Sequence, residues 1–117
     1  MTNVNILNPG AIVRELERDL GVPAETIALA LDVDRRTVER WRTNRRVPQG
    51  RTRDRLAELV SLRDQLLRVF GTRQAVHSWL VAESRHLGGL TPAEALRAGR
   101  LDRVRSDLEG LEAGIYL

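Results

Sequence analysis

Apolar residues recur along this chain at helical spacing, with little of the strict alternation that marks a strand. Asn8-Pro9 reads as a cap followed by proline at the first helical position. Ile12, Val13, Leu16 and Leu20 then form one stripe, and Gly21 ends it. Pro23 opens a second helix carrying Ile27, Ala28 and Leu31. After a short break at Asp32-Val33, Asp34 is a suitable cap for a third helix running to about Asn44, with Val38 and Trp41 inward. Pro48 and Gly50 close the segment.

Thr52 is predicted to cap a long helix that ends at Phe70 before Gly71. Its apolar residues, Leu56, Leu59, Val60, Leu62, Leu66, Leu67, Val69 and Phe70, occupy two faces, so the helix should be buried on two sides. Thr72 caps the next helix, with Ala75, Val76, Trp79 and Leu80. "ESRHLGGL" reads as a loop, and "TPAE" as a capping box on Thr91 and Glu94, opening a short helix with Leu96 inward and Gly99 as its stop. A last helix starts near Leu101, and its stripe of Leu101, Val104, Leu108, Leu111 and Ile115 has spacings of 3, 4, 3 and 4. Gly110 inside it marks either a frayed end or close approach of another backbone. The predicted class is all-α: an N-terminal helix-turn-helix module (residues 1–50), a connecting spine helix (51–71) and a small C-terminal helical domain (72–117).

Composition supports an aliphatic core: 42% of the 117 residues are hydrophobic, but the only aromatics are Trp41, Phe70, Trp79 and Tyr116. The absence of cysteine excludes disulfides and thiolate metal sites. His77 and His86 lack carboxylates at ligand spacing, so no metal and no cofactor is expected. No apolar run is long enough to span a bilayer, and "MTNVNILNPG" lacks the features of a signal peptide; a cytoplasmic address is the expectation. No nucleophile–base pair, glycine-rich phosphate loop or paired carboxylates point to an enzyme.

Charge sharpens the picture. All 19 basic residues are arginines, and nine of them fall in residues 35–55 against two acids. Residues 56–117 hold eight arginines against eight acids, and the last twelve residues hold Asp107, Glu109 and Glu112 with no base. This asymmetry suggests two partners. Arg35, Arg36, Thr37 and Arg40 sit outward at the start of the third helix, where a recognition helix meets base edges. Arginine matches the two acceptors of guanine, and threonine suits a base edge or the thymine methyl. Arg42, Arg45, Arg46 and Arg51 lie at or after the helix end, in the place for phosphate contacts. A solvated arginine face is the bland alternative. Trp41 and Trp79 read as core residues.

The stretch "ETIALALDVDRRTVERWRTNRRVP" resembles the Xre-type helix-turn-helix family, with Asp32 where the family has its turn glycine. Downstream, Trp79-Leu80, "HLGGLTPAEALRAGRLDRV" and "LEGLEAGIYL" resemble the toxin-binding domain of MbcA/ParS/Xre-type antitoxins. Trp79, Leu87, Pro92, Leu96, Gly99, Val104, Leu108 and Gly114 follow that family's pattern, while Glu83-Ser84 stand where it often has Pro-Asn. Together the two resemblances cover about residues 10–117. They imply an antitoxin that occludes the active site of a RES-domain, NAD-degrading toxin and represses its own operon by binding operator DNA. The implied toxin contacts are Glu112, Gly114, Ile115, Tyr116 and Leu117. The apolar tail could instead fold back on its own last helix. A homodimer or a higher assembly with toxin is expected, since one helix-turn-helix covers one half-site. The competing readings are a stand-alone regulator whose C-terminal half only dimerises, and a toxin binder whose basic module no longer reads DNA.

Overall fold

The computed structural model describes residues 8–43 and 46–114. Among these residues every regular element is helical, as the periodicity predicts, with seven α-helices and one 3-10 turn. They are α1 (Pro9–Leu20), α2 (Ala24–Leu31), α3 (Arg35–Thr43), α4 (Gly50–Phe70), α5 (Arg73–Leu80), the 3-10 turn (Arg85–Leu87), α6 (Pro92–Arg97) and α7 (Leu101–Glu112).

Local chemistry sets most of the boundaries. The Ala11 N–H donates to Asn8 Oδ1 (3.3 Å), capping α1 with Pro9 in its first turn. The Arg36 N–H donates to Asp34 Oδ1 (3.0 Å) at the start of α3, and the Ala75 N–H donates to Thr72 Oγ1 (3.1 Å) at the start of α5. Thr91 and Glu94 form the reciprocal box on α6: the Glu94 N–H donates to Thr91 Oγ1 (3.0 Å), and the Thr91 N–H donates to Glu94 Oε1 (2.9 Å). The hydrogen bond from the Thr91 backbone, then that from its side chain, holds the Glu94 carboxyl below its ordinary pKa.

Two sequence expectations change. Thr52 does not cap α4: the helix begins at Gly50, the Arg53 N–H already donates to the Gln49 carbonyl (3.4 Å), and Thr52 lies inside the first turn. Gly50 takes φ +57, a turn into the helix that its missing Cβ permits. Leu111 was expected in the inward stripe of α7 but is 37% exposed. Periodicity fixes the direction of a side chain, not whether another element covers it. Gly110 is buried in the last turn of α7, which runs to Glu112.

The core is continuous through the chain. α1 packs on α3 and α5, α2 packs on α3 and α6, and α4 contacts α1, α2, α5 and α7. The long helix is therefore covered on two sides, burying Leu56, Leu59, Val60, Leu62 and Leu66. Val38 and Trp41 pin α3 inward. A fully buried leucine such as Leu16, Leu62 or Leu108 contributes about 1.5–3 kcal/mol by leaving water.

A buried ionic joint fastens α1 to α4 and α5. Asp19 accepts from Arg63 Nη1 (2.9 Å), Arg73 Nε (2.9 Å) and Arg18 Nε (3.3 Å). Burial pushes its carboxyl pKa up, but the three arginine hydrogen bonds and the Arg18 charge outweigh that and hold it below the ordinary value. Beside this joint, His77 Nε2 lies 3.0 Å from the Arg18 carbonyl. The His77 ring also covers Gly21, where an added Cβ would meet it at 2.8–2.9 Å.

Candidate functional site

The basic segment is positioned by the α2–α3 turn. Asp32 adopts φ 57, ψ 46, the left-handed conformation that usually falls to glycine. It is the one non-glycine residue with positive φ among those described. The Asp32 N–H donates to the Leu29 carbonyl (3.1 Å) and the Val33 N–H to the Ala28 carbonyl (3.0 Å), closing the end of α2 with the paired bonds of a Schellman motif. The chain turns sharply without the glycine, and α3 is set against α1 and α2.

The arginines of this segment divide into committed and uncommitted groups. Arg35 pairs with Glu39 one turn along α3 (3.3 Å). Arg42 reaches across to Glu17 of α1, forming an ion pair that holds the end of α3 in place. Arg36, Arg40, Arg46 and Arg51 are exposed and make no side-chain hydrogen bond or ion pair among the described residues. Thr37 is half-buried. Arg45 lies outside the described residues. Thr37, Arg40 and Arg46 share a cleft with Gln49 and Thr52. Arg51 instead lines a separate cleft with Asp54, Arg55 and Glu58. Guanidiniums without carboxylate partners offer full charge and forked donors to a guanine edge or a phosphate.

The C-terminal end presents a second surface. Glu112 is exposed in the last turn of α7 and accepts from Gln65 Nε2 (2.6 Å), tying that turn to α4. Gly114 is half-buried, and its N–H donates to the Leu111 carbonyl (3.1 Å). Ile115, Tyr116 and Leu117 lie outside the described residues. Nearby, Trp79 is partly buried and packs on Phe70 with ring centroids 5.6 Å apart. A cleft beside Trp79 is lined by Glu83, Ser84, Arg85, Asp107 and Leu111. Ser84 Oγ donates to the buried Asp107 Oδ2 (3.0 Å) and accepts from the His86 N–H (3.2 Å), so the Glu83-Ser84 departure carries its own cap.

Sequence reasoning gave Thr52 only a capping role and passed over Gln49, neutral residues in an arginine-rich stretch whose place in the cleft follows from the turn before α4. It also passed over Val81, which is 69% exposed just after α5. No sequence signal separates such an exposed valine from a core one.

Residues 65–114 match the family model described as the antitoxin Xre/MbcA/ParS C-terminal toxin-binding domain. The mycobacterial cidal antitoxins MbcA of Mycobacterium bovis and Mycobacterium tuberculosis are 31% identical over 114 residues, covering 97% of this chain and 98% of theirs. A chain in the crystal structure of the M. tuberculosis MbcT–MbcA toxin–antitoxin complex matches with a TM-score of 0.65 and 29% identity, covering 97% of this chain and all of that one.

Proposed function

This chain belongs to the Xre/MbcA/ParS family of antitoxins, and from that premise we propose that it binds and sterically occludes a cognate toxin, a RES-domain enzyme that degrades NAD. The observation that carries this reading is the match along nearly the full length to antitoxins, one of them solved in a toxin complex. In this account the chain performs no chemistry. It acts in the cytoplasm by filling the partner's cleft with the end of α7 and the tail that follows, from Glu112 through Gly114, Ile115, Tyr116 and Leu117. The apolar tail suits a dry cleft, and the acids before it, Glu109 and Glu112, suit arginines at a cleft mouth.

The second role is repression of its own operon. Here residues 1–50 form a helix-turn-helix, α4 is the spine, and residues 72–117 hold the toxin. Arg36 reads a base edge, with Arg40, Arg46 and Arg51 turned to the backbone. The uncommitted state of these four arginines supports that assignment. Arg42, held by Glu17, is better suited to positioning α3 than to a phosphate contact. Two copies would place two recognition helices on half-sites about 34–36 Å apart.

Co-expression tests the first role. The full chain should restore growth to cells making the neighbouring toxin, and a chain lacking residues 114–117 should not. Rescue by the truncated chain would remove the tail from the mechanism.

A further inference from the structure

The cleft beside α3 has a lining unlike that of the smaller cleft across α4. We propose that it is a seat for a DNA backbone phosphate, with Gln49 and Thr52 as contacts alongside Thr37, Arg40 and Arg46. This inference rests on the DNA-binding reading above and deepens it.

The cleft measures about 530 Å³, room for a phosphate and its sugar rather than a single water. Its polar lining consists of two guanidiniums, two hydroxyls and one carboxamide, and no carboxylate. By contrast, the cleft where α4 meets α7 contains Asp54, Glu58 and Asp102, and the cleft beside Trp79 contains Glu83 and Asp107. Those two clefts can neutralise their arginines internally; this one has no acid with which to do so.

The neighbouring ion pairs strengthen the contrast. Within the same basic segment, Arg35 and Arg42 are paired with Glu39 and Glu17, while Arg40 and Arg46 are not paired among the described residues. Two uncompensated guanidiniums facing hydroxyl and amide donors call for an anion with several acceptor oxygens. Buried Trp41 supplies an apolar wall, which lowers the local dielectric and strengthens each bond to the anion.

Position selects the phosphodiester over a small anion. Thr37, Arg40 and Trp41 follow one another at helical i, i+3 and i+4 spacing, so this face of α3 points into the cleft. Arg36 stands one turn before Arg40, about 6 Å along the axis. A strand lying along α3 would meet Arg36 with a base edge and the cleft with its backbone. The arginines alone would give a basic stripe; Gln49 and Thr52 close it into a three-sided seat.

The test measures binding of the full chain to a duplex from its own upstream region and to an unrelated duplex, by fluorescence anisotropy across a salt series. Gln49→Glu puts a carboxylate into the seat and should weaken both complexes by tenfold or more. Thr52→Val removes a hydroxyl at nearly constant volume and should weaken both about threefold. Arg46→Ala, an exposed change that leaves the core alone, should lower the slope of log K against log salt by about 0.9, the loss of one phosphate. Thermal midpoint and toxin neutralisation should stay at wild-type levels in all three. If the wild type binds and all three variants bind within twofold, with the same slope, the seat is not used. Weakening confined to the upstream duplex would mean base reading, and would overturn the phosphate assignment. If the wild-type chain binds neither duplex, the DNA reading itself fails and the seat with it.

Discussion

Replacing Asp19 with asparagine should destabilise the whole chain, because its carboxylate joins three helices. Asp19 is 6% exposed and Arg63 is 12% exposed, so this pair is effectively buried. Arg18 and Arg73 are 55% and 53% exposed, and solvent screens their shares to about 0–1 kcal/mol each. Breaking a buried pair costs about 3–5 kcal/mol, chiefly because the surviving charge is stranded. Asparagine keeps the shape and one acceptor oxygen but loses the charge, which brings the expected loss to about 2–4 kcal/mol. For a chain of this length that lowers the midpoint on the order of 10 °C. Urea unfolding should show a lower midpoint with an unchanged slope. The Asp19→Asn/Arg63→Met cycle should show coupling of about 1 kcal/mol or more. The pH dependence follows from the lowered pKa of Asp19. Its contribution is complete above the unfolded carboxyl pKa, about 3.9, and disappears as pH falls through the lower folded value. Wild type should therefore lose this increment in acid, and Asp19→Asn should not. A loss below about 0.5 kcal/mol, or simple additivity with Arg63→Met, would refute the reasoning.

Other outcomes follow from single positions. Arg36→Ala should weaken operator binding by about 1–3 kcal/mol and leave neutralisation unchanged, measured by anisotropy and growth rescue. Removing residues 114–117 should abolish rescue while DNA binding persists in the same assays. Asp32→Val places a β-branched residue at φ 57 and should cost about 1–2 kcal/mol in urea unfolding. Gly21→Ala combines positive φ with a 2.8 Å approach to the His77 ring, and should cost at least about 1–2 kcal/mol by the same measurement.

Helix-level structure was legible because its signals are local. Asn8, Asp34, Thr72 and Thr91 each bond a backbone N–H two or three residues ahead, and sequence spacing encodes that directly. Asp32 was legible as the turn residue because few side chains tolerate positive φ. Thr52 misled because a threonine before an apolar run looks like a cap whether or not the chain is already helical. The Asp19 joint was invisible: Arg63 and Arg73 lie 44 and 54 residues away, and only tertiary packing brings them together. The same holds for α2 against α6, which places the N-terminal and C-terminal helices around one core. In the candidate DNA site the arginines were evident, but not their division into paired and unpaired. That division depends on Glu17, which reaches Arg42 from another helix.

The most direct test of the central claim is to express the tagged chain from its native operon and identify what purifies with it. The account predicts a stable complex with the product of the adjacent gene, whose toxicity appears when this chain is deleted. A chain that purifies alone as a dimer on its own promoter, beside a neighbour harmless without it, would contradict the antitoxin account.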